Sequence, residues 1–480
     1  MSQAVVPVLL LSLIALAGCA VGPDYVRPTL ETPESFKQAA SFKDKWIQLG
    51  EAPPPVVQAW WQVFKDPVLD ALQEHVRIDN QNILIAEAQY RAARAALDSA
   101  NAAYYPSVSG SFGGTRAANA LVTNSNNTQS QGTRPPTNTI NLSASTSWEL
   151  DLWGRIRRNN EAAGARLEAS AADLAAARLS AHALLAQTYV QLRGAEAQLD
   201  LQGRTVQAYT RYLELTRNRF NAGVATPLEV SNAESQLATA RAGALSAELQ
   251  RTQYAHALAT LIGKTPSALM LEANATLPGL PSVPQLIPSV WLTTRPDIVA
   301  AERRVAAANA QIGVAKAAWF PTLTLSGSYG YRNNELADLM TSPHRFWSLG
   351  PALAMAIFDG GARRAVVESA SASYDQSVAT YRQTVLTAFQ EVEDNLAAAR
   401  LIGEETQERE IAARSARRSR EIASNQYLAG TSGQLEVSSA QASELSAERT
   451  LIEARQRQLL ATIQLYKNTA GVMTDSRSNN

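Results

Sequence analysis

The sequence has one cysteine, four histidines and few aromatic residues, which make up 6% of its 480 positions. One cysteine cannot form an internal disulfide. The histidines lie far apart, and none has a second potential metal ligand nearby in the sequence, so we expect no metal site and no bound cofactor: His75, His182, His256 and His344. No nucleophile or phosphate-binding motif is recognisable, which argues against an enzyme. Basic and acidic residues balance at 43 each, so no positive field indicates nucleic acid binding.

Long apolar runs are also scarce, and the one at the N-terminus, Val5 to Leu16, is too short for a transmembrane helix. It ends in Leu16-Ala17-Gly18-Cys19, which matches the lipobox of bacterial lipoproteins. This match predicts a signal peptide over residues 1–18 and a covalent lipid on Cys19. Ala20 stands where an aspartate would indicate retention in the inner membrane, so an outer-membrane location is favoured. A signal peptide normally has a lysine or arginine before its apolar run, and this sequence has none there.

The second half of the chain repeats the first. Residues 82–106 align without gaps to residues 297–321, 215 positions later. Because no composition shift separates independent domains, the repeat indicates duplication of one structural unit. We predict a proline-rich extended arm carrying the lipid (19–58), a first repeat (59–275), a linker (276–293), a second repeat (294–472) and a C-terminal tail (473–480).

Heptad spacing dominates the predicted helices. A first helix is expected from Val68 to Ala103, and a longer one between Gly154 and Phe220, where no proline occurs. Apolar residues recur there every seven positions, which is typical of coiled-coil packing: Leu185, Leu192, Leu199, Val206, Leu213 and Phe220. A helix of about 65 residues is roughly 100 Å long, so it must project into an aqueous compartment.

Four segments alternate apolar with small or hydroxylic residues and are predicted as strands: 106–115, 140–150, 321–331 and 349–357. Segments of about ten residues with one apolar and one polar face are typical of transmembrane barrels, although a soluble two-layer sheet has the same alternation. Four strands cannot close a barrel, and an open edge cannot face lipid. Three copies would supply twelve strands, and the small polar residues would line a water-filled lumen.

Two short stretches match one another at a distance of 207 positions: Phe220–Val230 and Tyr427–Val437. Gly223 and Gly430 suit the left-handed position that ends a helix. Thr226, Pro227 and Glu229 form the pattern of a capping box with proline at the first helical position. Each stretch is therefore predicted to join two helices in a hairpin.

Several further motifs carry a family resemblance, and together they span the predicted mature chain: Val21-Gly22-Pro23-Asp24-Tyr25-Val26-Arg27-Pro28, Trp60-Trp61-x-x-Phe64-x-Asp66-Pro67, Asp151-Leu152-Trp153-Gly154-Arg155, Thr294-Arg295-Pro296-Asp297-Ile298 and Phe358-Asp359-Gly360-Gly361. The chain resembles the TolC-like outer-membrane factor family, of the OprM/NodT lipoprotein type. This resemblance implies an α+β membrane protein, a homotrimer whose twelve-stranded barrel continues into a helical periplasmic tunnel.

The resemblance also implies a function and partners. The protein would be the passive outer-membrane exit duct of a tripartite efflux system, served by a periplasmic adaptor and an inner-membrane pump of the resistance-nodulation-division class. By motif position, Tyr427, Glu436 and Glu229 match residues that constrict the periplasmic entrance in similar channels. Ser432 and Ser439 depart from that pattern, where relatives have an arginine and an acidic residue. Helix capping alone also explains both glutamates, since each lies in the first turn of a helix.

Two other functions remain open from the sequence. One is the exit duct of a type I protein-secretion system, although the lipobox and the arm favour small-molecule efflux. The other is a lipoprotein that acts as a coiled-coil scaffold without a channel, which fits the helices but leaves the four strands unexplained.

Overall fold

The computed structural model describes residues 21–29, 36–37, 59–118, 136–281 and 294–469. The predicted signal peptide, Cys19, most of the arm, and the tail lie outside these residues. The helices and strands follow in this order: α1 (Pro67–Asp79), α2 (Gln81–Ala102), β1 (Ser107–Ala117), β2 (Thr137–Leu150), α3 (Arg155–Asn221), α4 (Pro227–Leu261), α5 (Pro296–Ala317), β3 (Thr322–Asn333), β4 (Arg345–Ala354), α6 (Ala362–Leu428) and α7 (Gln434–Asn468).

Within the described ranges, no helix combines the length and the apolar character that crossing a membrane requires.

The element lengths confirm the duplication. Helices α2 and α5 both have 22 residues. Helices α3 and α6 both have 67 residues, which is about 100 Å at 1.5 Å per residue. Helices α4 and α7 both have 35 residues. From α2 and α5 onward, the two halves therefore share one order of elements, and the difference in loop length falls between the first strand and the long helix of each half.

The prediction of one continuous helix from Val68 to Ala103 was wrong. The helix is interrupted at Asn80, whose backbone is extended. The Asn80 side chain accepts hydrogen bonds from the backbone N–H groups of Asn82 and Ile83 at 3.0 and 3.2 Å, and it donates to the Leu261 carbonyl at 2.7 Å. Asparagine is among the preferred residues for starting a helix in this way. The buried Asn80 thus ends α1 and caps α2.

The four strands form one antiparallel sheet in the order β1-β2-β3-β4. Three strands agree with the predicted segments within a few residues. The fourth was predicted at 349–357, but β4 begins at Arg345 and ends at Ala354, so Met355 and Ile357 follow the strand. β4 starts earlier than predicted because Arg345 and Trp347 pair with Tyr331 and Tyr329 of β3. The alternation of residue types in the sequence does not reveal this pairing.

Most side chains separate by type onto the two faces of the sheet, although Phe346 lies on the face of the serines. On one face, serine hydroxyls of paired strands lie 2.7–2.9 Å apart, in the pairs Ser109–Ser145, Ser111–Ser143 and Ser328–Ser348. The other face carries exposed apolar and aromatic side chains, which are Val108, Phe112, Tyr329, Trp347, Leu349 and Leu353. This arrangement agrees with the predicted alternation.

The described chain forms two compact units, and each contains parts of both repeats. The strand unit comprises the sheet with Arg91–Ala169, Glu302–Thr380 and the N-terminal residues to Pro28. Two of the sequence motifs shape its strand-to-helix turns. Asp151 accepts the N–H groups of Ile156 and Arg157 at the start of α3, and Asp359 accepts those of Gly361 and Arg363 at the start of α6.

The helical unit comprises Thr29–Tyr90, Ser170–Ala301 and Tyr381–Asn480. The Trp60-Trp61-x-x-Phe64 motif forms a short helical turn at its core, with all three aromatic rings buried. Trp60 stacks on Tyr466 at 5.8 Å between ring centroids, and Trp61 stacks on His182 at 4.4 Å. Two residues of the predicted heptad in α3, Leu185 and Leu192, are also fully buried.

His182 is a buried titratable group in this core. Its Nδ1 lies 2.6 Å from the Gln73 amide oxygen, and the Gln73 amide donates to the His182 carbonyl at 3.0 Å. Burial lowers the pKa of His182 from 6.5 to about 4, although the charge of Glu74 acts in the opposite direction. The folded protein therefore holds this imidazole in the neutral form.

We expect this imidazole to make stability depend on pH. Between about pH 6.5 and 4 the unfolded chain binds a proton that the folded chain does not, so stability is full above this window and falls by up to about 3 kcal/mol through it. The unfolding temperature of purified wild-type protein, measured at a fixed scan rate from pH 7.5 to 4, should fall more steeply than that of His182→Gln. His256→Gln, at an exposed position, is the matched control; identical slopes for all three proteins would contradict the assignment.

Candidate functional site

The two matched stretches are helix-hairpin turns of the same local geometry. Gly223 and Gly430 have φ angles of +73° and +74°, as predicted for residues that end a helix. In the first turn, Val224 donates to the Arg219 carbonyl at 2.8 Å and Gly223 to the Phe220 carbonyl at 2.9 Å. These two bonds constitute a Schellman motif.

The second turn repeats these bonds. Thr431 donates to the Gln426 carbonyl at 2.9 Å, and Gly430 donates to the Tyr427 carbonyl at 3.0 Å. Both long helices therefore end in the same way, and a side chain at either glycine would be strained at this positive φ.

The helices that follow the two turns begin differently. At the first turn, the Thr226 hydroxyl accepts the Glu229 N–H at 3.3 Å, and the Glu229 carboxylate accepts the Thr226 N–H at 2.5 Å. With Pro227 at the first helical position, this is the predicted capping box. At the second turn the N-cap is Gly433, which makes no side-chain capping bond, while Glu436 lies in the first turn of α7.

Two contacts join one turn to the other. The guanidinium carbon of Arg219 lies 5.0 Å from the centroid of the Tyr427 ring, in a cation–π arrangement. The Gln434 amide donates to the Glu229 carbonyl at 3.4 Å. The end of α3 therefore touches the end of α6, and the start of α7 touches the start of α4.

The three residues predicted to constrict the entrance differ in the contacts that they make. Tyr427 is part of the link between the turns, and Glu229 contributes its backbone carbonyl while its carboxylate caps α4. Glu436 is exposed, and one of its carboxylate oxygens lies 2.9 Å from the position that a Cβ on Gly433 would occupy. Ser432 is half-buried, and its hydroxyl donates to the Gly433 carbonyl at 3.5 Å.

Sequence reasoning missed Arg219. It stands one position before the matched stretch, and the equivalent position in the second turn is Gln426. The two residues share a backbone role, since both carbonyls accept the bond that ends the helix. Their side chains differ, so the repeat carries no signal for the cation–π contact.

A packed layer behind the first turn holds it in place. Tyr209, Tyr212 and Leu213 of α3 pack on Ala233 and Leu237 of α4. Burial raises the pKa of Tyr212, and burial together with the charge of Glu444 raises that of Tyr209, so both hydroxyls stay neutral.

Ion pairs between neighbouring helices brace both hairpins. Arg217 pairs with Glu234 at 2.6 Å in the first, and Arg420 pairs with Glu444 at 2.9 Å in the second.

Large apolar side chains are exposed on both turns: Phe220, Val224, Leu228, Leu428 and Leu435. Among the described residues, no group of three or more His, Cys, Asp or Glu is placed to hold a metal ion. The groups that the turns present are therefore exposed apolar side chains, the acidic side chains of Glu229 and Glu436, and the contacts between helices described above.

Comparison with known proteins gives consistent matches over both halves. The model of the outer membrane efflux protein family matches residues 72–264 and 287–471. The toluene efflux pump outer membrane protein TtgC of Pseudomonas putida is 30% identical over 460 residues, which cover 95% of this chain and 93% of that protein. The outer membrane protein OprJ of Pseudomonas aeruginosa is 30% identical over 474 residues, covering 98% and 96%.

A solved structure supports the same conclusion. That of the outer-membrane channel OprN has a TM-score of 0.83 and 30% identity, and the match covers 94% of this chain and 99% of the OprN chain. The predicted fold class is confirmed: a trimeric channel with four strands per protomer in a twelve-stranded barrel, continued by a helical tunnel. The predicted location, in the outer membrane with the helices in the periplasm, is confirmed as well. The chain belongs to the outer membrane efflux protein family.

Proposed function

We propose that three copies of this chain form the passive exit duct of a tripartite efflux system, with an entrance controlled at the two hairpin turns. A periplasmic adaptor and an inner-membrane pump of the resistance-nodulation-division class would deliver the cargo and supply the energy. The observation that supports a duct is the structure of the sheet. One face is lined by hydroxyls, the other is apolar, and among the described residues the edge strands β1 and β4 each pair on one side only.

The unpaired edges give the physical reason for assembly. Backbone N–H and C=O groups on β1 and β4 would remain unsatisfied in lipid, at a cost of several kcal/mol per group. Pairing β1 of one protomer with β4 of the next removes both edges without any additional element. Twelve strands then close with the apolar faces towards lipid and the serines towards a water-filled lumen.

The exposed apolar side chains of the turns are suited to contact with a partner. Phe220, Val224 and Leu228 lie on the first turn, and Leu428 and Leu435 on the second. Exposed apolar residues clustered at the end of a helical structure commonly mark a protein interaction site. We assign them to contact with the adaptor, which would reach the duct at this end.

The contact between Arg219 and Tyr427 would hold the entrance closed. A cation–π contact at an exposed site contributes about 0.5–1 kcal/mol, and a trimer has three of them. If the turns move together, three contacts favour the closed entrance over the open one by about 1.5–3 kcal/mol. This changes the ratio of closed to open channels roughly 10- to 100-fold. In a trimer, Glu229 and Glu436 would each also form a ring of three, and acidic rings favour cations over anions in transit.

The cargo is proposed to be small organic compounds. A relative that serves a toluene efflux pump supports this class, and the pump rather than the duct would select the compound. Deleting the gene should then raise sensitivity to such compounds. Loss of a secreted protein instead, with unchanged sensitivity, would support the duct of a type I secretion system.

The duct itself is tested with the purified full-length protein. We expect a stable trimer in detergent that conducts ions weakly in a planar bilayer, because the closed turns restrict the flow. A stable monomer that does not conduct would support a coiled-coil scaffold instead.

The closing role of Arg219 is tested by a double-mutant cycle. Arg219→Ala should raise the resting conductance roughly 10-fold or more, by the argument from three contacts above, and Tyr427→Ala should do the same. The double variant should conduct no more than either single variant, since the two side chains act as one contact.

Arg211→Ala is the matched control for this cycle, because Arg211 is an exposed residue on the same helix and should leave the conductance unchanged. Unchanged conductance in Arg219→Ala, or fully additive effects with Tyr427→Ala, would show that the contact does not hold the entrance closed and contributes to packing only.

A separate experiment tests the proposed lipid. Metabolic labelling with palmitate should label the wild-type protein and not Cys19→Ser, and inhibition of lipoprotein signal peptidase should cause the precursor to accumulate. Unchanged processing in the presence of the inhibitor would rule out acylation of Cys19, whatever the outcome of the conductance measurements.

A further inference from the structure

The hydroxyl-lined face of the sheet is nearly uniform in its residue types, apart from one level. Strand pairing places residues of the same face side by side, so the composition of the face follows from the register. Serine, threonine, glycine and alanine make up most of it. Two larger side chains, Arg332 of β3 and Phe346 of β4, lie together near one end. This end therefore differs from the rest of the face in charge and in bulk.

Arg332 carries the uncompensated charge of this face. Among the described strand residues, the other charged side chain on the face is Glu149, at the opposite end of the sheet. Glu149 accepts two hydrogen bonds from Arg155, at 2.8 and 2.6 Å, so its charge is balanced. Arg332 has an aromatic ring as its neighbour instead, and no ion pair joins it to an acidic side chain of the part of the chain that the structure describes.

The Phe346 ring holds the guanidinium of Arg332. The guanidinium carbon lies 5.2 Å from the ring centroid, in a cation–π arrangement. Phe346 is half-buried and Arg332 is exposed, so the charged group lies on the open side of the ring. Phe346 pairs with Gly330, which is buried. Covering a strand glycine explains an aromatic residue at this position. It does not explain an arginine without an acidic partner on top of the ring.

The position along the strand places this pair near the outer end of the barrel. Strand β3 begins at Thr322, shortly after α5, and Arg332 stands one residue before its end. A strand of this length, rising about 3.4 Å per residue and tilted by about 40°, spans the roughly 25 Å apolar band of a membrane barrel. Because the helices lie in the periplasm, the end that carries Arg332 is the outer one.

Threefold assembly turns the pair into a ring. Twelve strands spaced about 4.8 Å apart and tilted by about 40° enclose a backbone cylinder with a radius of about 12 Å. Arginine side chains project inwards from this wall, so each guanidinium lies about 10 Å or less from the axis. The Debye length at physiological ionic strength is about 8 Å, so the field of three guanidinium groups extends across most of the lumen.

We propose that Arg332, held by Phe346, forms a basic ring at the outer mouth of the barrel that favours anions over cations in transit. Its ligands are inorganic anions and anionic organic compounds, which it attracts by charge rather than by shape. Rings of arginine or lysine are a known basis of anion selectivity in pores. The inference goes beyond the proposed control of the entrance, because it concerns the barrel and requires only the trimeric fold.

The first test measures ion selectivity in a planar bilayer across a gradient of potassium chloride. The reversal potential gives the ratio of chloride to potassium permeability and does not depend on how many channels are open. Arg332→Gln should lower this ratio about threefold, which is the size expected for three screened charges about 10 Å from the axis below about 0.1 M salt. Arg332→Lys retains the charge and should retain the ratio.

Arg345→Gln is the matched control. Arg345 is an exposed arginine near the same end of the sheet, but it pairs with Tyr331 on the apolar face. The substitution removes the same charge from the outside of the barrel, so the permeability ratio should stay at the wild-type value. An unchanged ratio in Arg332→Gln, or an equal shift in Arg345→Gln, would overturn the ring.

A second measurement needs no current, so it tests the ring even if the purified duct fails to conduct. Ser145→Cys places a thiol on the hydroxyl-lined face, and Cys19→Ser makes it the sole cysteine of the chain. Its reaction rates with an anionic and a cationic methanethiosulfonate are compared in detergent-solubilised trimers at about 0.01 M salt, where the Debye length is about 30 Å. Adding Arg332→Gln should lower the anionic-to-cationic rate ratio about threefold.

Salt distinguishes an effect of charge from an effect of shape. At about 1 M salt the Debye length is about 3 Å, so Arg332→Gln should no longer change the rate ratio. A change that persists at 1 M salt, or no change at 0.01 M salt, would overturn the charge-selective role and leave Arg332 and Phe346 as packing over Gly330. Either result would leave the proposed entrance unaffected, since that is tested separately through Arg219 and Tyr427.

Discussion

Unsatisfied backbone hydrogen bonds at the edges of a four-stranded sheet are the constraint on which this protein depends. The apolar face of this outer-membrane sheet faces lipid, and lipid offers no partner to the backbone groups of β1 and β4. Gene duplication supplies two hairpins per chain, which is still too few to close a barrel. Threefold assembly resolves the constraint, and it also gathers the long helices that follow each hairpin into one tunnel. Membrane insertion, oligomeric state and the helical tunnel are thus consequences of the same requirement.

Much of this could be predicted from the sequence, because the relevant signals are local or periodic. The duplication, the two faces of the sheet, the long helices, the positive φ of Gly223 and Gly430, and the Thr226–Glu229 capping box all follow from spacing and residue type. The features that were missed depend on contacts between distant segments. Asn80 ends α1 because it binds the Leu261 carbonyl as well as its own helix. The register of β4 is set by its pairing with β3, and Arg219 reaches a ring 208 positions away.

The sequence motifs have local roles that the family resemblance did not specify. Asp151 and Asp359 start the long helices at the ends of the strands, and Trp60, Trp61 and Phe64 fill the core of the helical unit. Val21 donates to the Trp153 carbonyl and Pro23 accepts from Asn309, so the first motif is held by its backbone. Several large apolar side chains at the turns, in contrast, are exposed: Phe220, Val224, Leu228, Leu428 and Leu435.

The unequal starts of α4 and α7 have a consequence for symmetry. Duplication within three copies would give the mouth of the tunnel six nearly equivalent hairpins. The first hairpin of each chain is closed by reciprocal side-chain bonds and a proline, whereas the second restarts at Gly433 without a side-chain cap. A cap of this kind is typically worth about 1 kcal/mol, so the second hairpin is the more compliant. In the proposed trimer, three hairpins with a side-chain cap would therefore alternate with three that lack one, so the entrance would have threefold rather than sixfold symmetry in its mechanical properties even where the backbone geometry is the same.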